Sequence, residues 1–484
     1  MLRRRSVLSG GLAFTALGLG RSWGQTASEE DIAAVLKETV DALLKERVDV
    51  GRESKGLVAV VLDGCRRIDA AYGRSDSADN RALDADTVFE IGSISKVFTA
   101  LLLADMIVRG EVAADDPVAK YLPDNVRVPY FSDRPITLLD LATYTSGLPR
   151  MPSNFTPRNT ANPYADYSVE QLYDFVSNHK LRFMPGTHYE YANLGFGLLG
   201  HALALRTGKS YEELVVSRIC APLGMESTRI TLSDSMQARL ARGHNASFDP
   251  VANWDIPTLA GAGALRSTAN DLVKFLEMCL GNKPSPLAPA MAMTLGQRHP
   301  TERQRVEVAL GWFLSTSHRD EIAWKDGGTG GYATFIGFST KSQRGSILLS
   351  NTADYGSNLK LGVHLINPAY ALSKLHRQVA VDPAILTAYV GRYELDPNFV
   401  LTVRADGNRL FVQATGQSEF EAFAESETDF FYRVVDAQIT FDRPDIGPTS
   451  ISWSRPTRLA GTAEYTASAN AASFFLNALI TAAA

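Results

Sequence analysis

Phe89-Glu90-Ile91-Gly92-Ser93-Ile94-Ser95-Lys96 sets a serine and a lysine three residues apart where an extended segment, Thr87 to Ile91, gives way to an apolar helix. The helix is predicted from spacing: Val97, Phe98, Leu101, Leu102, Met106 and Ile107 recur at three- and four-residue intervals, and Gly110 supplies a stop. Ser93 and Lys96 then share one face of the first turn. A serine hydroxyl is a weak nucleophile at neutral pH, and an amine one turn away can orient it or accept its proton. The helix N-terminus adds unpaired backbone N–H groups suited to a developing negative oxygen. The same Ser-x-x-Lys spacing occurs at Ser177 to Lys180 and Ser357 to Lys360, but in polar surroundings without a preceding strand. Context, rather than spacing, singles out Ser93.

All eight positions of this stretch resemble the active-site signature of class C β-lactamases. That family belongs to the penicillin-recognising serine hydrolases, with D,D-carboxypeptidases, D-aminopeptidases and some esterases. Asp140-Leu141-Ala142-Thr143-Tyr144-Thr145, followed by Gly147-Leu148-Pro149, is a second stretch of likeness. Tyr191-Ala192-Asn193, preceded by Pro185-Gly186, resembles the Tyr-x-Asn element that the family places on the helical side of its pocket. Lys325-Asp326-Gly327-Gly328-Thr329-Gly330-Gly331 stands where the family has a Lys-Thr-Gly strand, and its glycines let a strand edge approach a substrate closely.

The resemblance covers roughly residues 30 to 375. It implies an α+β, β-lactamase/transpeptidase-like fold: an antiparallel sheet flanked by helices, with an inserted helical subdomain. It also implies acyl-enzyme chemistry on Ser93, with Tyr191 and Lys96 as a coupled base and Asn193 and Lys325 binding substrate. Gly327 and Gly328 would line the oxyanion side, where the amides of Ser93 and Gly328 hold the oxygen. Charge makes the base plausible: a tyrosine near pKa ~10 needs about three units of help, roughly 4 kcal/mol, to act near neutrality. Two ammonium groups can each supply about one to three units.

The chain has 484 residues and a formal charge of -5, which exceeds one average domain and gives no reason to expect nucleic acid or an anionic membrane as partner. Arg3-Arg4-Arg5 before a mildly apolar run from Val7 to Leu19 predicts a signal peptide over residues 1–27. Its Arg4-Arg5 resembles the twin-arginine type, so export to the periplasm is expected. Gly20-Arg21-Ser22-Trp23-Gly24 fits a nucleophile elbow but lies within that leader. Cys65, Cys220 and Cys279 read as buried thiols, and no Cys/His spacing suggests a metal or other cofactor.

Taken in order, Ser28 to Val48 carries an amphipathic helical stripe, and Gly56 to Leu62 and Arg67 to Tyr72 read as a hairpin around Asp63-Gly64. Residues from about 110 to 300 read as helix and loop. Strand patterns resume at Ala309 to Leu314, Ile322 to Trp324, Tyr332 to Phe338 and Ser346 to Leu349, and Leu359 to Leu375 reads as helix. The catalytic domain is therefore placed at residues 28–378. From 383 to 465 seven short strands, beginning at Tyr389 and ending near Trp453, predict a small all-β barrel-like domain. Its Tyr389-Val390-Gly391-Arg392-Tyr393 resembles the lipocalin-like domain appended to some serine hydrolases, and a structural or shielding role is expected for it. The apolar tail, residues 466–484, reads as a docked helix too short for stable membrane insertion.

Two departures from the family pattern bear on substrate. Asp326 replaces a Thr that helps bind the β-lactam carboxylate, and Met151 falls near an amide-binding Gln. The segment from Asn351 to His376 also has no Arg, leaving Lys360 as the nearest carboxylate partner. Hydrolysis of β-lactam amides is the leading expectation. A cell-wall D,D-carboxypeptidase/endopeptidase, a D-aminopeptidase, an esterase and a non-turnover penicillin sensor are the competitors.

Overall fold

The computed structural model describes residues 29–396, 399–415, 419–434, 437–442 and 450–454. The expected leader with its Gly20–Gly24 motif, and the apolar tail, lie outside the described residues.

The chain enters through a helix, Glu29–Asp49, and the hairpin of β1 (Gly56–Asp63) and β2 (Arg66–Gly73). Next come a short β3 (Phe89–Glu90), the central helix Ser95–Val108, and the small hairpin β4 (Tyr130–Phe131) with β5 (Arg134–Pro135). Mostly helical structure follows, interrupted by β6 (Arg266–Ser267), which pairs with β3. The late strands are β7 (His299–Pro300), β8 (Val306–Val308), β9 (Phe313–Ser315), β10 (Ile322–Gly328), β11 (Ala333–Ser339) and β12 (Arg344–Ser350).

Eight of these strands make one antiparallel sheet, ordered β2-β1-β12-β11-β10-β9-β8-β7. The Val58-Ala59-Val60-Val61 run is buried throughout because β1 lies inside the sheet, with Val60 opposite Ile347 on one side and Asp69 on the other. Helices cover both faces, as consecutive residues of β12 show. A Cβ on Gly345 would meet Leu276 of the Ala269–Leu280 helix, whereas Ser346 Oγ bonds the Gly362 carbonyl of the Tyr355–Ile366 helix. Arg47 of the first helix and Leu361 of Tyr355–Ile366 line one small cavity, so both terminal helices lie on the same face.

Three local expectations are corrected. Ala309 to Leu314 is mainly the turn between β8 and β9, with Gly311 at φ +73 packed on the Lys96 carbonyl. The helix read from Leu359 to Leu375 spans Tyr355–Ile366: Asp354 caps it early, and Asn367 turns extended before Pro368. Cys65 is exposed, because the apolar run of β1 ends at Leu62 and Gly64-Cys65 form a solvent-facing turn; Cys220 and Cys279 are buried, and all three are free thiols.

After a short helix, Pro383–Ala388, seven strands follow in chain order: β13 (Gly391–Asp396), β14 (Phe399–Asp406), β15 (Arg409–Ala414), β16 (Glu419–Ala424), β17 (Asp429–Phe431), β18 (Gln438–Asp442) and β19 (Ser450–Ser454). Tyr389, just before β13, stacks on Phe441 of β18 at 4.1 Å and meets Phe430 of β17 edge-on. The meander is thus curled into a half-barrel around its own apolar core. Among the described residues no helix is long and apolar enough to cross a membrane.

Candidate active site

Ser93 lies in a single 3-10 turn, Gly92–Ile94, that leads directly into the helix Ser95–Val108. The turn needs glycine at 92: its φ is +49, and a Cβ would stand 2.6 Å from the Gly328 nitrogen. Lys96 is fully buried, and its Nζ donates to Ser93 Oγ at 2.7 Å, Asn193 Oδ1 at 2.9 Å and the Ala262 carbonyl at 2.7 Å. Three acceptors fully occupy an ammonium that burial would otherwise leave costly.

Tyr191 also reaches Ser93, its hydroxyl donating to Oγ at 2.9 Å. Three cations surround its ring: Lys96 Nζ at 5.0 Å, Lys325 Nζ at 5.1 Å and the Arg150 guanidinium at 5.1 Å from the centroid. Burial alone would raise the phenol's pKa, but Lys325, Lys96 and Arg150 outweigh it and bring Tyr191 to about 7. Burial lowers Lys96 to about 8, with Tyr191 opposing the change and Lys325 and Arg150 adding to it. The two groups therefore titrate as a pair close to neutrality. A hydroxyl held between two such groups can lose its proton to either.

Lys325 is buried on β10, its Nζ 5.0 Å from the Phe313 ring and 3.4 Å from Asp326 Oδ1. Burial would raise the Asp326 carboxyl, but Lys325 and Arg303 hold it below its usual value. Asp326 is thus a carboxylate that offsets part of the Lys325 charge. β10 pairs with β9 only over Ile322–Trp324, and its remaining edge faces the Ile91–Ser93 segment. A Cβ on Gly327 would stand 2.1 Å from the Ile91 carbonyl oxygen, and one on Gly328 would stand 2.2 Å from the Tyr355 ring. Glycine at both positions is what brings this edge alongside Ser93.

Asn193 begins the helix Asn193–Thr207, with its Oδ1 on Lys96 and its Nδ2 donating to Tyr164 Oη at 3.2 Å. Met151 Sδ lies 3.8 Å from that same amide nitrogen. Met151 therefore borders the pocket beside Asn193, and Lys360 sits on the Tyr355–Ile366 helix.

Ser93, Lys96, Tyr191, Asn193, Lys325, Gly327 and Gly328, all singled out in the sequence, converge here from three separate segments. Three contributors were missed. Arg150 follows directly on Gly147-Leu148-Pro149, and that adjacency was its only signal. Tyr144, fully buried, stacks on Tyr191 at 4.8 Å with φ +58. Thr137 and Asp140 cap the preceding helix Leu138–Ala142 reciprocally, which fixes where Tyr144 emerges. Tyr355 backs Gly328, and no spacing rule points to it.

Comparison with known proteins bears on the family and the fold. The family model described as Beta-lactamase matches residues 40–368, and one described as Domain of unknown function (DUF3471) matches residues 375–466. The D-alanyl-D-alanine-carboxypeptidase/endopeptidase AmpH of Escherichia coli (strain K12) is 31% identical over 320 residues, covering 63% of this chain and 81% of its own length. A Beta-lactamase of Pseudomonas fluorescens is 25% identical over 352 residues, covering 66% and 94% respectively. Among solved structures, a class C beta lactamase from Rhodobacter sphaeroides superposes with a TM-score of 0.57 at 26% identity, over 70% of this chain and 99% of that one.

Proposed function

From the premise that this chain belongs to the beta-lactamase family, we propose that it hydrolyses amides through an acyl-enzyme on Ser93. The observation that carries the reading is Ser93 Oγ held between Lys96 Nζ at 2.7 Å and Tyr191 Oη at 2.9 Å, with Tyr191 near pKa 7. As Ser93 Oγ bonds to the substrate carbonyl carbon, its proton passes to the Tyr191–Lys96 pair. The carbonyl electrons move onto oxygen, which the Ser93 and Gly328 amides hold. Collapse breaks the C–N bond, the leaving nitrogen takes the proton back from the pair, and water later releases the acyl group. Asn193 keeps Lys96 aimed at Oγ, and Lys325 adds positive charge to the pocket.

For the substrate, the leading reading is the amide of a β-lactam. The Lys325–Asp326 contact favours a second, hydrolysis of D-amino-acid peptides at a bond with no free carboxylate beside it, as an endopeptidase or D-aminopeptidase would cut, because a carboxylate beside Lys325 weakens the hold on any anionic substrate group. The AmpH likeness supports that second reading as well. The Arg3-Arg4-Arg5 leader pattern supports a periplasmic location.

Intact-protein mass spectrometry with a fluorescent penicillin, alongside nitrocefin turnover and Ser93→Ala, tests the proposal. A transient adduct absent from Ser93→Ala, with nitrocefin turnover, establishes the β-lactam reading. A persistent adduct without turnover, together with release of D-Ala from a D-Ala-D-Ala peptide, establishes the peptidase. An adduct that survives Ser93→Ala refutes the assignment of the nucleophile.

A further inference from the structure

Among the described residues, the β10 edge that carries Gly328 has no strand partner on the side of Ser93, and residues 325–331 contain four glycines. Such a ribbon yields easily, yet a donor to an oxyanion must sit within a few tenths of an ångström of its place. Support comes from behind. The Tyr355 ring abuts Gly328 and its hydroxyl donates to the Thr329 carbonyl at 2.6 Å. Trp254 stands against Gly330, Val251 and Gly243 against Gly331, and the His244 amide donates to the Gly331 carbonyl at 3.1 Å.

Both supports rest on the C-terminal half-barrel, since Tyr355 and Ala246 pack on its apolar core. Arg433, which follows β17, is 5% exposed. Its guanidinium lies 3.9 Å from the centroid of the Phe423 ring of its own domain and 4.8 Å from that of Phe248, in the loop over residues 243–251 that carries His244 and Val251. Its nitrogens donate to the Ala246 carbonyl at 2.9 Å and to Gln378 Oε1 at 3.0 Å. Ser247 bonds Glu421 of β16, and Arg409 of β15 lies 3.7 Å from Asp249. Burying a guanidinium is costly, and here it fastens a loop that ends at the oxyanion ribbon.

We infer that the C-terminal domain braces the oxyanion wall, with Arg433 and Tyr355 as positioning residues that hold Gly328 against Ser93. The acylation site is then completed by the second domain of the same chain. The inference rests on the hydrolase reading for its rate measurement, whereas its exchange measurement is independent of activity.

The test uses the full-length mature chain with Arg433→Met, Arg433→Lys, Tyr355→Phe and the Met/Phe double variant. Single-turnover acylation by fluorescent penicillin is followed against pH, and hydrogen–deuterium exchange is followed in peptides covering 325–332. Losing an oxyanion donor outright costs about 100- to 1000-fold, so a displaced one is expected to lower the acylation plateau roughly 5- to 50-fold. The pH midpoint should stay put, since the brace does not touch Tyr191 or Lys96. Arg433→Lys should recover part of the rate, and the double variant should lose less than the product of the single losses. Exchange should quicken in 325–332 and stay slow in the helix Ser95–Val108.

An unchanged plateau with unchanged exchange overturns the inference, as does a uniform rise in exchange across the catalytic domain. If Arg433→Met does not fold, Ser247→Ala and Glu421→Gln at the rim of the same contact must give smaller changes in the same direction, or the inference fails. If wild-type Ser93 takes no label, the hydrolase reading fails and the exchange result alone decides the brace.

Discussion

Replacing Arg150 with Gln removes one of three cations around Tyr191 and leaves Ser93, Lys96 and Lys325 in place. A unit charge 5.1 Å from the ring centroid would interact by about 3 kcal/mol at an effective dielectric of about 20. Arg150 is partly exposed, so solvent screening reduces this to roughly 1 to 1.5 kcal/mol, or about one pKa unit. Tyr191 should rise from about 7 toward about 8. Lys96 moves in the same direction, because Arg150 also holds it down. The phenolate form is the base, so raising its pKa leaves less of it at neutral pH. The acid limb of the acylation profile should therefore move about one unit alkaline, with close to a tenfold loss at pH 6 and little loss above pH 9. Stopped-flow acylation of Ser93 from pH 5 to 10 measures this directly. A loss that is the same at every pH would refute the electrostatic argument and make Arg150 a substrate contact.

Two further outcomes follow from the same geometry. Asp326→Thr removes a carboxylate 3.4 Å from Lys325, and should raise kcat/KM for carboxylate-bearing β-lactams about tenfold, from one to two kcal/mol of restored attraction, while a neutral p-nitrophenyl ester changes little; equal gains on both would show that the charge does not select substrate. Gly92→Ala forces a side chain into the left-handed region and against the Gly328 backbone, so urea unfolding should show a loss of roughly 2 to 5 kcal/mol, and a loss under about 1 kcal/mol would mean that the two segments separate freely.

The parts of the fold that could be read from the chain are those in which local pattern and tertiary environment agree. The β1 run is apolar at every position because it is buried on both faces, and the seven C-terminal strands are cut by turn signals such as Asp406-Gly407. The Leu359 to Leu375 helix overran because apolar spacing continues past Asn367, where the proline that follows ends the helix. Cys65 departs from its expected burial for a similar reason: the apolar residues of β1 are buried, but Cys65 falls two residues past the end of the strand, in the turn before β2. At the site, Ser93, Lys96, Tyr191, Asn193 and Lys325 were legible because each stands in a short motif. Tyr144, Arg150 and Tyr355 act only through contacts made after folding.

The charge balance at Tyr191 explains why its chemistry could be named from sequence but its poise could not. Burial taken alone favours neutral tyrosine, yet the same low dielectric strengthens every cation near the ring. Lys96 arrives from the central helix, Lys325 from β10 and Arg150 from the loop after Leu148, and the resulting pKa near 7 is a small difference between large opposing effects. Lys96 is caught in the same balance from the other side, pulled down by burial and held up by the phenolate it helps create. A two-residue motif specifies the participants. Only the packing of three segments around one ring brings the pair within reach of neutral pH.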